Sequence, residues 1–139
     1  MTPIPPDDPF AGTWTLDPDE SDYQFGEPPA SGTYKLEPDG AAYNVTMRWT
    51  TVDGKPMEAS YSSIPDGVEY PFDSPAVDTV SMTRVDGYTL DSSSKKDGQV
   101  IAYARRELSD DRQSMTITQS GTTPEGDPFA NVSVYRKSD

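Results

Sequence analysis

Arg106 is the residue whose sequence neighbours most strongly indicate a binding or catalytic role. It belongs to a row of alternating positions whose other members are apolar: Val100, Ala102, Ala104 and Leu108. Alternate residues of a strand point to the same face, so this row predicts that the guanidinium points into a protein interior. A buried charge is costly unless it is paired or hydrated. Two interpretations therefore stand together: Arg106 anchors an anion or a carbonyl group of a ligand, or it pairs structurally with an inward acidic residue or a tyrosine hydroxyl.

Tyrosine and methionine side chains on other predicted apolar faces could surround such an anchor. Tyrosine offers an apolar ring with one hydroxyl, which suits a pocket for a mostly apolar ligand, although it serves equally in an ordinary core. Methionine adapts to irregular shapes and fills pockets and cores alike. The residues that we expect to contact a ligand are Arg106, Tyr135, Tyr61, Met47, Trp49, Met57 and Met82.

The composition excludes several familiar kinds of catalysis. The chain has no cysteine and no histidine, which removes thiolate chemistry, disulfides and the commonest metal ligand and general base. Ser-His-Asp and Cys-His catalysis and His-ligated haem or zinc are excluded with them. The acidic residues between Asp17 and Asp22 lack the turn glycine and terminal glutamate of a calcium loop. We therefore expect neither a metal nor a cofactor.

The excess of acidic over basic residues limits which macromolecules and membranes the protein can bind. The 11 lysines and arginines stand against 24 aspartates and glutamates, and the formal net charge is −13, which repels nucleic acids and anionic membranes. No apolar run approaches the roughly 18 residues that a membrane span needs, and the Pro- and Asp-rich start does not resemble a signal peptide. We expect a soluble monomer or homodimer without nucleic-acid or membrane partners. It would be cytoplasmic as written, or secreted or periplasmic if a leader was removed.

The elements that must position these residues are strands. Tyr43, Val45, Met47 and Trp49 alternate with polar residues, which is the period of a strand with one wet face, and no stretch has helical periodicity. Asp-Gly pairs between such runs favour tight turns. Residues 21–31 and 70–76 are predicted to be Pro-rich loops, and residues 1–9 a flexible arm before a single domain of residues 10–139. About nine strands are predicted: Phe10 to Leu16, Thr33 to Leu36, Tyr43 to Thr51, Met57 to Ser62, Val77 to Val85, Tyr88 to Ser94, Gln99 to Leu108, Ser114 to Gln119 and Phe129 to Arg136.

Consecutive hairpins place neighbouring strands side by side in an antiparallel meander. A meander of this length either packs as two sheets or closes on itself, and closure removes the exposed strand edges. The predicted fold is all-β, an antiparallel up-and-down barrel of about 8–10 strands.

The two ends of the chain resemble a known group of barrels. Gly12-Thr13-Trp14 after Phe10, and the closing run Val134-Tyr135-Arg136-Lys137 two strands after Arg106-Glu107-Leu108, resemble the first and last strands of lipocalins and fatty-acid-binding proteins, the calycins. Bacterial lipocalin-like proteins of unassigned function also end in an Asn-Val-x-Val-Tyr strand. The resemblance implies a calycin barrel in which Gly12, Trp14 and Arg136 are structural, with Trp14 closing one end and Arg136 stacked on its indole.

The sequence also departs from the fatty-acid-binding pattern. Those proteins insert two helices after the first strand, and residues 21–31 are too short and too rich in proline for such a lid. Their last strand carries an arginine two residues before the tyrosine that helps to hold a ligand carboxylate, and Ser133 stands there in this chain. The resemblance thus implies a ligand other than a fatty acid, or one held mostly by apolar contact.

Three functions remain open from the sequence. The first is binding of a small apolar or amphipathic molecule in the barrel cavity, which rests partly on analogy. The second is a histidine-free, metal-free cyclase or isomerase that uses Tyr61, Tyr135, Arg106 or a buried carboxylate, although strand parity places Glu58 and Glu107 outside. The third is a structural or partner module with a filled barrel.

Overall fold

The computed structural model describes residues 3–5, 7–23, 30–74, 77–122 and 125–138. Within these ranges the chain forms strands and no helix, which confirms the all-β prediction. No described segment is therefore a helix that could cross a membrane. The strands are β1 Gly12–Tyr23, β2 Ser31–Asp39, β3 Ala42–Thr50, β4 Pro56–Ser63, β5 Asp66–Ser74, β6 Val77–Asp86, β7 Thr89–Lys96, β8 Gln99–Leu108, β9 Ser114–Thr122 and β10 Pro128–Lys137.

The strands form one antiparallel sheet in the order β4-β3-β2-β1-β10-β9-β8-β7-β6-β5. Every strand pairs with its neighbour in sequence except at the seam between β4 and β5, and the first strand pairs with the last. The sheet therefore curls into an up-and-down barrel whose two ends, β4 and β5, come together without a ladder of hydrogen bonds between them. The predicted barrel is confirmed, with ten strands.

Alternation of burial along the strands separates an inner from an outer surface. In β2, Gly32, Tyr34 and Leu36 are buried while Thr33 and Lys35 between them are exposed. Tyr43 and Val45 of β3 are likewise buried. The tight turn between β7 and β8 uses Asp97 and Gly98, both with positive φ, as a two-residue hairpin turn requires.

Two strands extend through segments that were expected to be loops. Strand β1 continues past the Asp17-Pro18-Asp19 run that was expected to end it, because a register shift between Asp17 and Asp22 leaves the intervening residues out of the ladder with β10. Strand β5 includes Pro71, inside the predicted loop 70–76. Proline is tolerated there because β5 is an edge strand. Residues 24–29 and 75–76 of the two expected loops lie outside the described residues.

The described part of the expected N-terminal arm packs against one end of the barrel. The Ile4 amide donates to the Gly40 carbonyl at 2.7 Å, and Asp8 is only 7% exposed. The Asp8 carboxylate accepts hydrogen bonds from the Tyr43 hydroxyl and from the Phe10 amide. The prolines that prevent a helix there do not prevent docking, and the flexibility expected for residues 1–9 stays a prediction. The assignment of residues 10–139 as one domain stays a prediction.

Candidate functional site

Arg106 lies inside the barrel on β8, as the apolar row predicted, and is 4% exposed. Its Nε donates to the Tyr34 hydroxyl at 2.7 Å, Nη1 donates to Ser92 Oγ at 2.9 Å and Nη2 donates to the Tyr61 hydroxyl at 3.2 Å. The guanidinium carbon also lies 5.5 Å from the centroid of the Tyr34 ring. Neutral hydroxyls from three other strands, β2, β4 and β7, thus surround the buried charge.

Arg106 forms no salt bridge with a carboxylate among the described residues, and Asp91, which pairs with Arg105, attracts its charge only at longer range. The ion pairs that the described residues form involve Arg48, Arg84, Arg105, Arg136 and several lysines, but not Arg106. An arginine keeps its proton in proteins. Burial raises the pKa of Tyr34 above its ordinary value, so the hydroxyl beside the guanidinium stays neutral and does not cancel the charge. A positive charge with neutral partners is left facing the interior of the barrel.

Arg106 faces a cavity of about 220 Å³. Its walls carry aromatic side chains (Tyr23, Tyr34, Tyr61, Phe72 and Tyr135), aliphatic ones (Met47, Val77, Val80, Ala104 and Ile117) and uncharged polar ones (Ser92, Ser94, Gln119 and Ser133). No aspartate or glutamate is among these described lining residues. The cavity is therefore an aromatic and hydroxyl-rich chamber with a single charged group.

Ring pairs brace the walls of this chamber. Tyr34 and Tyr135 meet edge to face with centroids 5.8 Å apart, and Tyr61 and Phe72 do so at 5.4 Å. The second pair spans the seam, because Tyr61 is on β4 and Phe72 is on β5. Edge-to-face contact of this kind is favourable beyond the area it buries, so side chains hold the seam where the backbone ladder is missing.

A second cavity of about 350 Å³ adjoins the chamber at the rim of the barrel. The two share the lining residues Tyr23, Met47, Gln119 and Tyr135. Trp49 and Val52 lie on the rim side, and Val52 is 60% exposed. The rim cavity and the chamber are therefore adjacent, and Tyr135 lies at their boundary.

The structure brings together four of the residues expected to contact a ligand and separates the other three. Arg106, Tyr61, Tyr135 and Met47 line the chamber, whereas Trp49 belongs to the rim.

Two expected contacts lie elsewhere. Met82 is 1% exposed and belongs to the solid core with Leu90 and Leu108. Met57 is 44% exposed at the start of β4, beside a groove on the outside of the sheet. Alternation identifies the inward face of a strand, but it does not report whether a position lies at the filled end, in the hollow or beyond the rim.

Of the residues that the resemblance implied to be structural, Trp14 is buried as expected, whereas Arg136 does not stack on its indole. Trp14 is fully buried and donates its indole N–H to the Phe10 carbonyl at 3.1 Å, and Gly12 has a φ of 129°. The cation on the indole is the Lys137 ammonium, 5.6 Å from the ring centroid. Arg136 was expected there, but it pairs with Asp17 on the outer surface. The register explains the difference, since Lys137 is directly opposite Trp14.

Sequence reasoning missed Tyr34, the nearest partner of Arg106. Its alternation with Leu36 on β2 marks it as inward, so a signal was present. No alternation of apolar and polar residues marked Ser92 or Phe72 as inward. The centre of β7 is a run of serines, and β5 contains glycine and proline. Glu58, in contrast, lies outside as parity predicted, paired with Arg48.

No group of three metal-ligating side chains occurs in the described ranges.

The fold is similar to that of a solved calycin-type barrel. The chain aligns with zebrafish ileal bile acid-binding protein, solved with cholic acid, at a TM-score of 0.58 and 12% identity over 94% of this chain and 99% of that one. A de novo designed fluorescence-activating β-barrel aligns at a TM-score of 0.47 and 13% identity over 97% of this chain and 100% of the design. No protein-family model and no curated protein matches the sequence.

Proposed function

We propose that the barrel binds a small amphipathic molecule whose anionic or strongly hydrogen-bond-accepting group contacts Arg106. The observation that carries this proposal is the buried guanidinium with neutral partners at the wall of a cavity. A buried charge is unfavourable unless something compensates it, and a bound anion would do so.

The hydrogen-bond inventory supports the same proposal. A guanidinium has five N–H donors, and three are used by Tyr34, Ser92 and Tyr61. The other two donors have no partner among the described residues, so they are open to a ligand oxygen or to water. Paired N–H groups on one planar group suit a carboxylate or another two-oxygen anion, because the geometry is bidentate.

The structural neighbour adds a consistent example, since the zebrafish protein was solved with cholic acid, an amphipathic acid. The chamber of this chain also supports binding over acid–base catalysis, because its described walls hold no carboxylate.

The test uses the fluorescent probe 1-anilinonaphthalene-8-sulfonate and its uncharged analogue N-phenyl-1-naphthylamine. We expect the wild-type chain to bind the sulfonate more tightly than the amine. Arg106→Gln should weaken sulfonate binding at least about 25-fold, because truncating one partner of a buried charged contact costs roughly 2 kcal/mol or more. Binding of the amine should change little.

Arg105→Gln is the matched control. Arg105 is the adjacent residue, but it lies outside, where it pairs with Asp91, so its loss should leave both affinities unchanged. Thermal unfolding of each variant checks that the barrel is intact. A wild-type chain that binds the amine as tightly as the sulfonate would overturn the proposal without reference to any variant.

A further inference from the structure

We infer that the ligand of the inner chamber is a small aromatic acid with a second polar group, rather than a long acyl chain. This inference rests on the proposed anion contact at Arg106 and specifies the class of molecule that makes it. Three features of the chamber carry it: its size, the chemistry of its walls and the position of a second hydroxyl cluster relative to Arg106.

The size limits the part of the ligand that lies inside the chamber to about one ring system. The chamber that contains Arg106 measures about 220 Å³, whereas pockets for drug-sized ligands occupy about 300–1,000 Å³. A chain that reached further would have to pass Tyr135 and Met47 into the rim cavity, which Trp49 and Val52 also line. Val52 is 60% exposed, so methylenes placed there would lose less contact with water than methylenes enclosed in the chamber.

The aromatic side chains that line the chamber favour a ligand that contains an aromatic ring. Aromatic side chains from β1, β2, β4, β5 and β10 surround the chamber, and those of the last four strands form two edge-to-face pairs. A planar aromatic ligand can add to such an arrangement, with its edge or face against the rings of Tyr135 and Tyr61. A flexible chain gains nothing from this geometry and loses rotational freedom on binding.

A hydroxyl pair lies two strands away from the anchor. Ser133 is 8% exposed, and its Oγ is 3.0 Å from the Tyr23 hydroxyl. Ile117 pairs with Arg106 on one side and with Ser133 on the other, so the two backbones are about 10 Å apart at the usual strand spacing. Both side chains line the same chamber. A separation of this order fits one ring with an acid group at one end and a hydroxyl or carbonyl group at the other.

The test is a calorimetric titration of wild-type protein with two series of acids. The first contains benzoate, 4-hydroxybenzoate and 4-hydroxycinnamate, and the second contains straight-chain acids from butanoate to palmitate. A site for acyl chains would gain roughly fourfold in affinity per buried methylene. We expect the straight-chain series to stop gaining once the chamber is filled, and 4-hydroxycinnamate to bind at least tenfold more tightly than nonanoate, which has the same number of carbons.

Ser133→Ala examines the second contact. It should weaken 4-hydroxybenzoate several-fold and leave benzoate unchanged, whereas Arg106→Gln should weaken both. Ser120→Ala is the matched control, since Ser120 lies on β9 but does not line the chamber, and it borders an outer groove with Arg105 and Glu107 instead. Benzoate measures whether the cavity survives each substitution.

The outcomes separate the two levels of the proposal. If no acid of either series binds, or if Arg106→Gln binds them all normally, the proposed function itself fails. If acids bind through Arg106 but affinity rises steadily to palmitate, the proposed function stands and the ring-acid inference is overturned. Equal loss of benzoate and 4-hydroxybenzoate in Ser133→Ala would also overturn the assigned second contact.

Discussion

Two arginines lie inside this barrel in different electrostatic settings. Arg84 donates to the Asp8 carboxylate at 3.4 Å and to the Tyr43 hydroxyl, beside the ring of Phe10. Arg106 has only neutral partners among the described residues and faces a cavity. The first has its counter-ion in the fold, so we interpret it as structural. The second forms no salt bridge among the described residues, which is why it carries the proposed function.

Arg84→Met should therefore destabilise the fold. The substitution leaves the Asp8 carboxylate buried without its cation, and breaking a buried pair costs roughly 3–5 kcal/mol. We expect about 3 kcal/mol in the free energy of unfolding, the lower end of that range, because the Arg84 side chain is 32% exposed. Urea unfolding at pH 7 measures it.

Two comparisons identify the cause of that loss. Arg48→Met removes an arginine from an ion pair with Glu58 on the outer surface, where both side chains are more than half exposed, and it should cost less than about 0.5 kcal/mol. Adding Asp8→Asn to Arg84→Met should recover part of the loss, since no unpaired charge remains. Equal costs for Arg48→Met and Arg84→Met would contradict the interpretation.

At the scale of elements, alternation predicted most of the barrel and turn chemistry predicted its hairpins. The clearest cases are β3, where Tyr43 and Val45 are buried as expected, and the turn at Asp97-Gly98. The pattern missed β5 and the second half of β1, because proline and acidic residues mark a loop by composition. An edge position or a bulge accommodates the same residues within a strand.

Alternation along single strands predicted that several side chains of the site point inward, but not which of them contact each other. The row around Arg106 located the charge inside, but its contact with Tyr34 joins residues 72 apart in sequence. That contact depends on how the sheet closes and on the stagger of its strands. Neither is encoded in the period of any one strand, and for the same reason Met82 and Met57 could not be distinguished from residues of the chamber.

Gly121 shows how closely two elements approach each other. A Cβ atom at this position of β9 would lie 2.8 Å from the Ile101 carbonyl oxygen and 3.1 Å from the Phe129 ring. The carbonyl belongs to the backbone of β8 and cannot rotate away. We expect Gly121→Ala to lower the free energy of unfolding by about 1–3 kcal/mol, the usual cost of overpacking.

Gly87→Ala is the control for this substitution. A Cβ atom there has no neighbour within 4 Å, so its effect should stay within about 0.5 kcal/mol of zero. Urea unfolding of both variants under one set of conditions gives the comparison. If Gly121→Ala were as stable as Gly87→Ala, then β8 and β9 would not approach as closely as the structure shows.

At the scale of the whole molecule, the barrel has one filled end and one hollow end. Phe10, Trp14 and Tyr43 fill the first, together with the ion pair of Asp8 and Arg84. The chamber and the rim form the second. Tyrosines that lie in low-dielectric surroundings occur in both halves, so their protonation connects the stability of the entire barrel to pH.

Alkaline pH should destabilise the barrel before any group of the site loses its charge. Burial raises the pKa of Tyr135 from 10.0 to about 12, and it also raises the pKa values of Tyr34 and Tyr43. Below pH 10 both the folded and the unfolded chain keep these protons, so the three groups cause no pH dependence. Above pH 10 the unfolded chain releases them first, and stability falls.

For Tyr135 the loss extends from pH 10 to about 12, at about 1.4 kcal/mol per pH unit. Urea unfolding between pH 8 and 11.5 should show a flat region followed by a decline, and Tyr135→Phe should make the decline shallower by about that slope. Tyr103→Phe is the control, because Tyr103 is 57% exposed and does not line the chamber. A decline of the same steepness in wild type and Tyr135→Phe would show that this hydroxyl is hydrated in the folded barrel, which would extend water past Tyr135 into the chamber.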